Sequence, residues 1–307
     1  MEKRQLGCSD LYVSRLGLGC MSLGTDEKAA HEIIEAALAE GINYFDTADL
    51  YDFGKNENIV GQALKNIREQ VIIATKVGNR WTDSKKSWSW DPSKAYIKEE
   101  VKQSIKRLGT DYIDLYQLHG GTLDDPIDET IEAFEELRAE GFIKHYGISS
   151  IRPNVIRAYI SKSNIVSVMM QYSILDRRPE EEALPLLQKN RIGVVTRGPL
   201  AHGLLSNHLL EKASAAVRSK GYLNYSFGEL AGLLPLLKEK LASARSFTEI
   251  ALQYNLANPA VTSIVTGASS VDQLQANAAA VCSSPLTNDE VELIRSLAKA
   301  NRYTQHR

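Results

Sequence analysis

The chain has 307 residues, 43% of them hydrophobic and 24% charged, with a formal net charge of -2. This composition is typical of a soluble globular protein, and the balanced charge argues against nucleic acid or an anionic membrane as a partner. No apolar run reaches the roughly 18 residues of a membrane span. The first ten residues lack a signal-peptide core, so we expect a cytoplasmic protein. The three cysteines lack metal-ligand spacing, so we predict no metal site.

Eight short apolar runs are each followed by a stretch with helical periodicity. We predict strands over 14–18, 42–46, 71–76, 113–119, 143–149, 167–172, 192–197 and 261–266. Near-continuous apolar runs of this length suit strands that are buried on both faces of a parallel sheet. The sequence therefore predicts an alternation of strands and helices.

Helix boundary signals separate these strands. We predict a first helix over 25–40, and further helices that begin at Asp91-Pro92 and Asp125-Pro126. An acidic N-cap followed by proline at the first helical position is a common start, and glycine follows the predicted end of each helix. These signals place a helix after each of the strands concerned.

The alternation predicts a (β/α)8 TIM barrel, with 1–307 as a single barrel domain. An open doubly wound sheet is the alternative, but "GLGCMSLG" lacks the G-x-G-x-x-G spacing of a dinucleotide-binding turn. Residues 1–13 predict an N-terminal β-hairpin beneath the barrel. Residues 203–245 form a long insertion after strand seven, which we expect on the functional face. Its Tyr222 and Tyr225 are candidates for closing over a ligand.

Polar side chains stand where five predicted strands end, and barrel active sites form at these carboxyl ends. The strand-end residues are Asp46, Lys76, His119, Ser149 and Gln171. A single polar residue at a strand end is more often ordinary loop chemistry than catalysis. The coincidence of several such groups on adjacent strands, with Tyr51 close behind Asp46 in "FDTADLY", favours a site on this rim.

Four of these residues suit proton transfer to a carbonyl oxygen. Asp46 can pair with Lys76, and the cation then lowers the cost of negative charge that develops on the Tyr51 oxygen. His119 can donate a hydrogen bond to a substrate oxygen or help to orient the substrate. A tyrosine placed in this way can give a proton to a carbonyl oxygen.

Four segments together resemble the signature of the aldo-keto reductase superfamily: "FDTADLY", "IATK", "DYIDLYQLH" and "YGISS". The resemblance runs the whole length and is closest to bacterial members near the potassium-channel β-subunit and general-stress branch. It implies a catalytic tetrad of Asp46, Tyr51, Lys76 and His119, with Tyr51 as general acid. It also implies reduction of a small-molecule aldehyde or ketone, with NADPH as the hydride source and NADH as the alternative.

The resemblance also implies a set of cofactor contacts. These are Ser149, Gln171, Arg197, Gly198, Pro199, Leu200, Gly203, Gly267, Ser269, Gln273 and Asn277. Arg197 stands where many members carry an aromatic residue, and its planar guanidinium can stack on nicotinamide or bind pyrophosphate. Gly267 and Gln273 stand where many relatives carry Lys and Arg, so two cations that would favour the 2'-phosphate of NADPH are missing.

All three tryptophans lie in the loop after strand three, in "NRWTDSKKSWSWDP". Aromatic residues can simply pack on one another in such a loop. Apolar walls with a few polar anchors are also the usual chemistry of ligand sites. On this second reading, Trp81 and Trp88 are substrate-pocket residues that line the mouth above Tyr51.

Two other functions stay open at this point. The channel β-subunits that the chain resembles use the same fold and cofactor mainly as a regulatory partner subunit. Lys76 at a strand end is also placed like the Schiff-base lysine of an aldolase. Pairing with Asp46 argues against the aldolase, because a neighbouring carboxylate keeps lysine protonated.

Overall fold

The computed structural model describes residues 1–82, 84, 86–211, 213–242 and 245–307. Its strands are β1 (Lys3–Gln5), β2 (Tyr12–Ser14), β3 (Leu16–Gly19), β4 (Tyr44–Asp46), β5 (Ile72–Val77), β6 (Asn79–Trp81), β7 (Trp88–Trp90), β8 (Ile113–Leu118), β9 (Ile143–Ser149), β10 (Ser167–Gln171), β11 (Gly193–Arg197) and β12 (Val261–Gly267). Eight of them form a closed barrel in the order β3-β4-β5-β8-β9-β10-β11-β12, and every neighbouring pair is parallel. The predicted TIM barrel is confirmed.

Helices surround this barrel. They are α1 (Glu27–Ala39), α2 (Lys55–Leu64), α3 (Lys94–Leu108), α4 (Ile127–Ala139), α5 (Pro153–Lys162), α6 (Ala183–Lys189), α7 (Ala215–Lys220), α8 (Phe227–Leu241), α9 (Phe247–Ala257), α10 (Val271–Cys282) and α11 (Asn288–Leu297). Their apolar faces and the outer faces of the strands share one buried cluster. Among the described residues, no helix is long and apolar enough to cross a membrane.

The starts of three helices differ from the prediction. α1 begins after Asp26, whose carboxylate caps it. α3 begins after Ser93, whose hydroxyl accepts a hydrogen bond from the N–H of Tyr96 at 3.3 Å. Asp91 is therefore not the cap, and its carboxylate instead accepts the N–H of Ser93 at 3.2 Å. α4 follows Pro126 with no side-chain cap, because the preceding aspartate is engaged within its own loop.

The two ends of the barrel are closed differently. At the amino-terminal ends of the strands, β1 and β2 form the predicted antiparallel hairpin, and Leu6, Leu11 and Val13 pack under the barrel. At the other end, the insertion that follows β11 carries α7 and α8, and α9 completes the βα unit. The insertion thus stands on the face where the carboxyl ends of the strands meet.

Candidate active site

Lys76 is the centre of a buried polar cluster at the ends of β4 and β5. Its Nζ lies 2.6 Å from Asp46 Oδ1, 2.7 Å from the carbonyl oxygen of Thr47 and 3.3 Å from the hydroxyl oxygen of Tyr51. The other oxygen of Asp46 accepts the amide of Gln117 at 3.3 Å. Burial opposes the charge on Lys76, but Asp46 and Tyr51 outweigh it and raise the pKa of Lys76. A cation is therefore held next to the Tyr51 oxygen.

Tyr51 lies on a tight turn between β4 and α2. The next two residues, Asp52 and Phe53, have φ values of 49° and 52°. This left-handed conformation is unfavourable for residues other than glycine and persists only where the surrounding structure enforces it. Tyr51 and Asp46 both line the large cavity of the protein. The strained turn thus places the Tyr51 hydroxyl between Lys76 and that cavity.

His119 lies directly after β8, on the other side of Tyr51. The backbone N–H of His119 donates to the carbonyl of Val77 at 2.8 Å. The His119 ring meets the Tyr51 ring edge-on, with the centroids 6.0 Å apart. Burial lowers the pKa of His119 to about 3, and Lys76 and Arg197 add to the effect. The imidazole is therefore neutral at pH 7 and can donate a hydrogen bond without carrying charge.

Asp49, the second carboxylate of "FDTADLY", is buried apart from this cluster. Its Oδ1 accepts the N–H of Leu50 at 2.6 Å. Burial raises the pKa of Asp49 well above its ordinary value, and the nearby Glu57 and Glu100 raise it further. Asp49 is a hydrogen-bond anchor of the Tyr51 loop.

A cavity of about 1120 Å³ runs from Tyr51 to the start of α10. All of the predicted cofactor residues except Ser149 line it: Gln171, Arg197, Gly198, Pro199, Leu200, Gly203, Gly267, Ser269, Gln273 and Asn277. The lining also includes residues that the sequence analysis did not single out, among them Ser22, Asn207 and Asp272. No local motif marked these three, because they come from separate segments, Asp272 from the first turn of α10, that meet only in the folded barrel.

The insertion after β11 contributes Tyr222 to this cavity in addition to Gly203 and Asn207. The hydroxyl of Tyr222 accepts a hydrogen bond from Gln171 Nε2 at 3.0 Å, and Arg197 Nη1 donates to Gln171 Oε1 at 3.3 Å. Tyr225 faces elsewhere, because its hydroxyl accepts the N–H of Lys299 at 2.6 Å. Only one of the two tyrosines considered for closure therefore stands at the cavity.

The far end of the cavity offers neutral donors. Gln273 Oε1 accepts both the N–H and the hydroxyl of Ser269, at 2.9 and 3.1 Å, at the N-terminus of α10. A Cβ at Gly267 would lie 2.1 Å from Ser22 Oγ, so a side chain there requires the facing loop to move. Helix N-termini bind phosphate groups, and a cavity that reaches from Tyr51 to the start of α10 suits a dinucleotide. The residues present therefore fit a nicotinamide dinucleotide.

The tryptophan loop forms the hairpin of β6 and β7 beside the site. The Trp81 ring meets Phe53 edge-on at 6.3 Å, and the guanidinium of Arg107 lies 5.2 Å from the centre of the Trp81 ring. Trp88 is 54% exposed. Neither tryptophan lines the cavity described above, so their role in binding a substrate stays a prediction.

Comparison with known proteins identifies the family. A sequence model described as "Aldo/keto reductase family" matches residues 15–299. The chain belongs to the aldo/keto reductase family. Among solved structures, this aldo/keto reductase is similar to the aldo-keto reductase AKR11C1 from Bacillus halodurans in its holo form. The TM-score is 0.92 and the identity 60%, over 100% of this chain and 99% of that chain.

Curated sequences agree with this assignment. The chain is 58% identical over 307 residues to the uncharacterized oxidoreductase YqkF of Bacillus subtilis (strain 168), covering 100% of both. It is 32% identical to the NADH-specific methylglyoxal reductase of Escherichia coli (strain K12), over 98% of this chain and 99% of that protein. The family prediction made from four motifs is confirmed, and aldo/keto reductases are oxidoreductases that use nicotinamide cofactors.

Proposed function

We propose that this aldo/keto reductase reduces aldehydes or ketones to alcohols, with Tyr51 as the proton donor. The proposal rests on the position of Lys76 Nζ, 2.6 Å from Asp46 and 3.3 Å from the Tyr51 oxygen. A buried cation at that distance stabilises the negative charge that develops as the proton leaves Tyr51. Asp46 keeps Lys76 charged and directs its ammonium group towards the phenol.

His119 supports the proton donor without replacing it. Its pKa of about 3 means that the imidazole holds no second proton near neutral pH. A neutral imidazole can still donate one hydrogen bond to the carbonyl oxygen and orient it towards Tyr51. The proton that ends on the product alcohol therefore comes from Tyr51.

We propose that the cavity from Gln171 to Asn277 holds the cofactor. A bound nicotinamide dinucleotide supplies the hydride that completes the reduction. Gln171 on β10, with Ser149 on the neighbouring strand β9, would hold the carboxamide, and the N-terminus of α10 would face a phosphate group. We retain NADPH as the donor on the resemblance. Because Asp272 and neutral groups surround the far end, we expect NADPH and NADH to differ by no more than about tenfold in affinity, or about 1.4 kcal/mol.

Tyr51→Phe tests the proposal, since the variant loses only the hydroxyl group. Turnover of a panel of aldehydes, ketones and dicarbonyls is followed by the absorbance of reduced nicotinamide. We expect kcat to fall on the order of 100-fold or more, as for loss of a general acid. NADPH affinity, measured by fluorescence titration, should stay the same. A variant that turns over at nearly the wild-type rate would remove Tyr51 from this role.

The same panel addresses the other functions. Tight NADPH binding with no turnover of any carbonyl would favour a regulatory partner subunit instead. A Schiff-base aldolase needs a neutral lysine, whereas Asp46 raises the pKa of Lys76. A covalent adduct on Lys76 after borohydride trapping with a carbonyl compound would restore the aldolase.

A further inference from the structure

Among the described residues, none forms a hydrogen bond with the ring of His119. Its Nδ1 is buried without a hydrogen-bond partner. The chain that follows consists of Gly120 and Gly121, with φ values of 144° and 117°. Glycine is the least restricted residue, so this segment has little intrinsic preference for one conformation. Besides the Val77 carbonyl and the Tyr51 ring described above, the groups that pack against this segment therefore help to set the position of the imidazole.

The ring of Trp90 packs against the first of these glycines, Gly120, and against Gly78. A Cβ at Gly120 would lie 3.3 Å from both Cζ3 and Cη2 of Trp90, and a Cβ at Gly78 would lie 2.6 Å from the same Cζ3. Gly78 comes two residues after Lys76, and Gly120 comes directly after His119. One edge of the Trp90 indole therefore occupies the space that side chains at Gly78 and Gly120 would take. It contacts the backbone just after Lys76 and just after His119.

The indole is itself fastened to the loop that follows His119. Trp90 Nε1 donates to Asp125 Oδ1 at 2.9 Å. The same carboxylate accepts the hydroxyl of Thr122 at 3.0 Å and the N–H of Thr122 at 2.6 Å. The guanidinium of Arg152 also donates to the carbonyl of Gly121 in the same loop. The loop 119–125 is thus held at both ends, and Trp90 is its link to the tryptophan hairpin.

We infer that Trp90 and Asp125 form a clamp that positions His119 and keeps water away from its ring. The inference builds on the role proposed for His119. Neither clamp residue lines the cavity described above, so both are positioning residues. Trp81 and Trp88 are the tryptophans predicted to contact a substrate, and Trp90 has no predicted role. Trp90 instead contacts the backbone that follows β5 and β8.

The clamp has a consequence for the protonation of His119. The charged and titratable groups that face its ring are Lys76 from β5, Arg197 from β11 and Tyr51 from the turn after β4. The two cations and burial all disfavour a protonated imidazole. A loosened clamp admits water and removes part of the burial effect, so the pKa of His119 rises towards its ordinary value of about 6.5.

Trp90→Phe tests the clamp, with Tyr12→Phe as the control at an exposed aromatic residue far from the site. Phenylalanine at 90 lacks the indole N–H and the ring edge over Gly120, whereas Tyr12 is 56% exposed on β2, under the opposite end of the barrel. We expect Trp90→Phe to lower kcat by about tenfold or more, because slight misplacement of an orienting group is costly. KM for NADPH should be unchanged. An acid limb should appear in the pH profile of kcat, and the control should show neither change.

A second measurement does not depend on activity. Histidine ring signals are followed by NMR against pH, and the His119 signal is assigned by its loss in His119→Gln. We expect this signal to titrate between about pH 5 and 7 in Trp90→Phe and to stay constant there in the wild type and in Tyr12→Phe. A signal that stays constant in folded Trp90→Phe would overturn the clamp. If Trp90→Phe does not fold, Asp125→Asn, which weakens the link to the indole, is judged by the same two outcomes.

The two proposals fail in different ways. A wild-type protein that reduces no carbonyl would end the proposed function, and the NMR titration would still decide the clamp. Normal carbonyl reduction, with the same His119 titration in Trp90→Phe and in the control Tyr12→Phe, would end the clamp alone.

Discussion

Lys76→Met removes the buried cation next to the Tyr51 oxygen and leaves the length of the side chain nearly unchanged. Lys76 Nζ and the Tyr51 hydroxyl oxygen lie 3.3 Å apart. At an effective dielectric constant of about 20, two unit charges at that distance interact by about 5 kcal/mol. If about half a charge has developed on Tyr51 in the transition state, the lost stabilisation is about 2.5 kcal/mol. That corresponds to a fall in kcat on the order of 100-fold.

The assay is kcat with an aldehyde at saturating NADPH, together with the Kd of NADPH. The Kd should not change, because the Lys76 side chain is only 1% exposed. The single variant should also lose about 3–5 kcal/mol of stability, because Asp46 is left buried without its partner. The double variant Asp46→Asn/Lys76→Met separates the two effects, since it should regain stability and keep the loss in kcat. A kcat for folded Lys76→Met within about threefold of the wild type would refute the electrostatic reasoning, because it leaves less than about 0.7 kcal/mol for Lys76.

Asp272→Asn should raise the affinity for NADPH relative to NADH, because it removes a negative charge from the far end of the cavity; Asp289→Asn, outside the cavity, is the control, and an unchanged Kd ratio would contradict the assignment. Asp49→Asn should flatten the pH dependence of stability. The native pKa of Asp49 lies above its unfolded value of about 3.9, so unfolding releases a proton and wild-type stability falls as pH rises between the two values. Urea unfolding at several pH values measures this, and parallel curves for both proteins would exclude a buried neutral carboxyl. Trp81→Ala and Trp88→Ala should raise KM for bulky aldehydes if they form a substrate wall; an unchanged KM in both would remove them from it.

The sequence by itself determined the barrel and the set of groups on its rim. Runs of β-branched and apolar residues mark strands buried on both faces, and eight of them in alternation with helices leave few other topologies. Parallel strands point the same way, so Asp46, Lys76 and His119 had to emerge on one rim wherever the helices packed. That part of the site follows from local pattern and strand direction alone.

Only the tertiary structure decided the contacts between segments distant along the chain. Two aspartate-proline pairs looked alike as helix starts, and neither aspartate caps its helix. Ser93 caps α3, whereas Asp125 accepts a hydrogen bond from the indole of Trp90 and α4 has no side-chain cap. Three tryptophans in one loop looked equivalent, and packing against Gly78 and Gly120 distinguishes one of them. From the sequence, Gly267 is a position where a lysine of many relatives is absent. Only the structure shows that Ser22 occupies the space that a side chain at 267 would need. Such contacts depend on which loops meet above the barrel, and local periodicity carries no information about that.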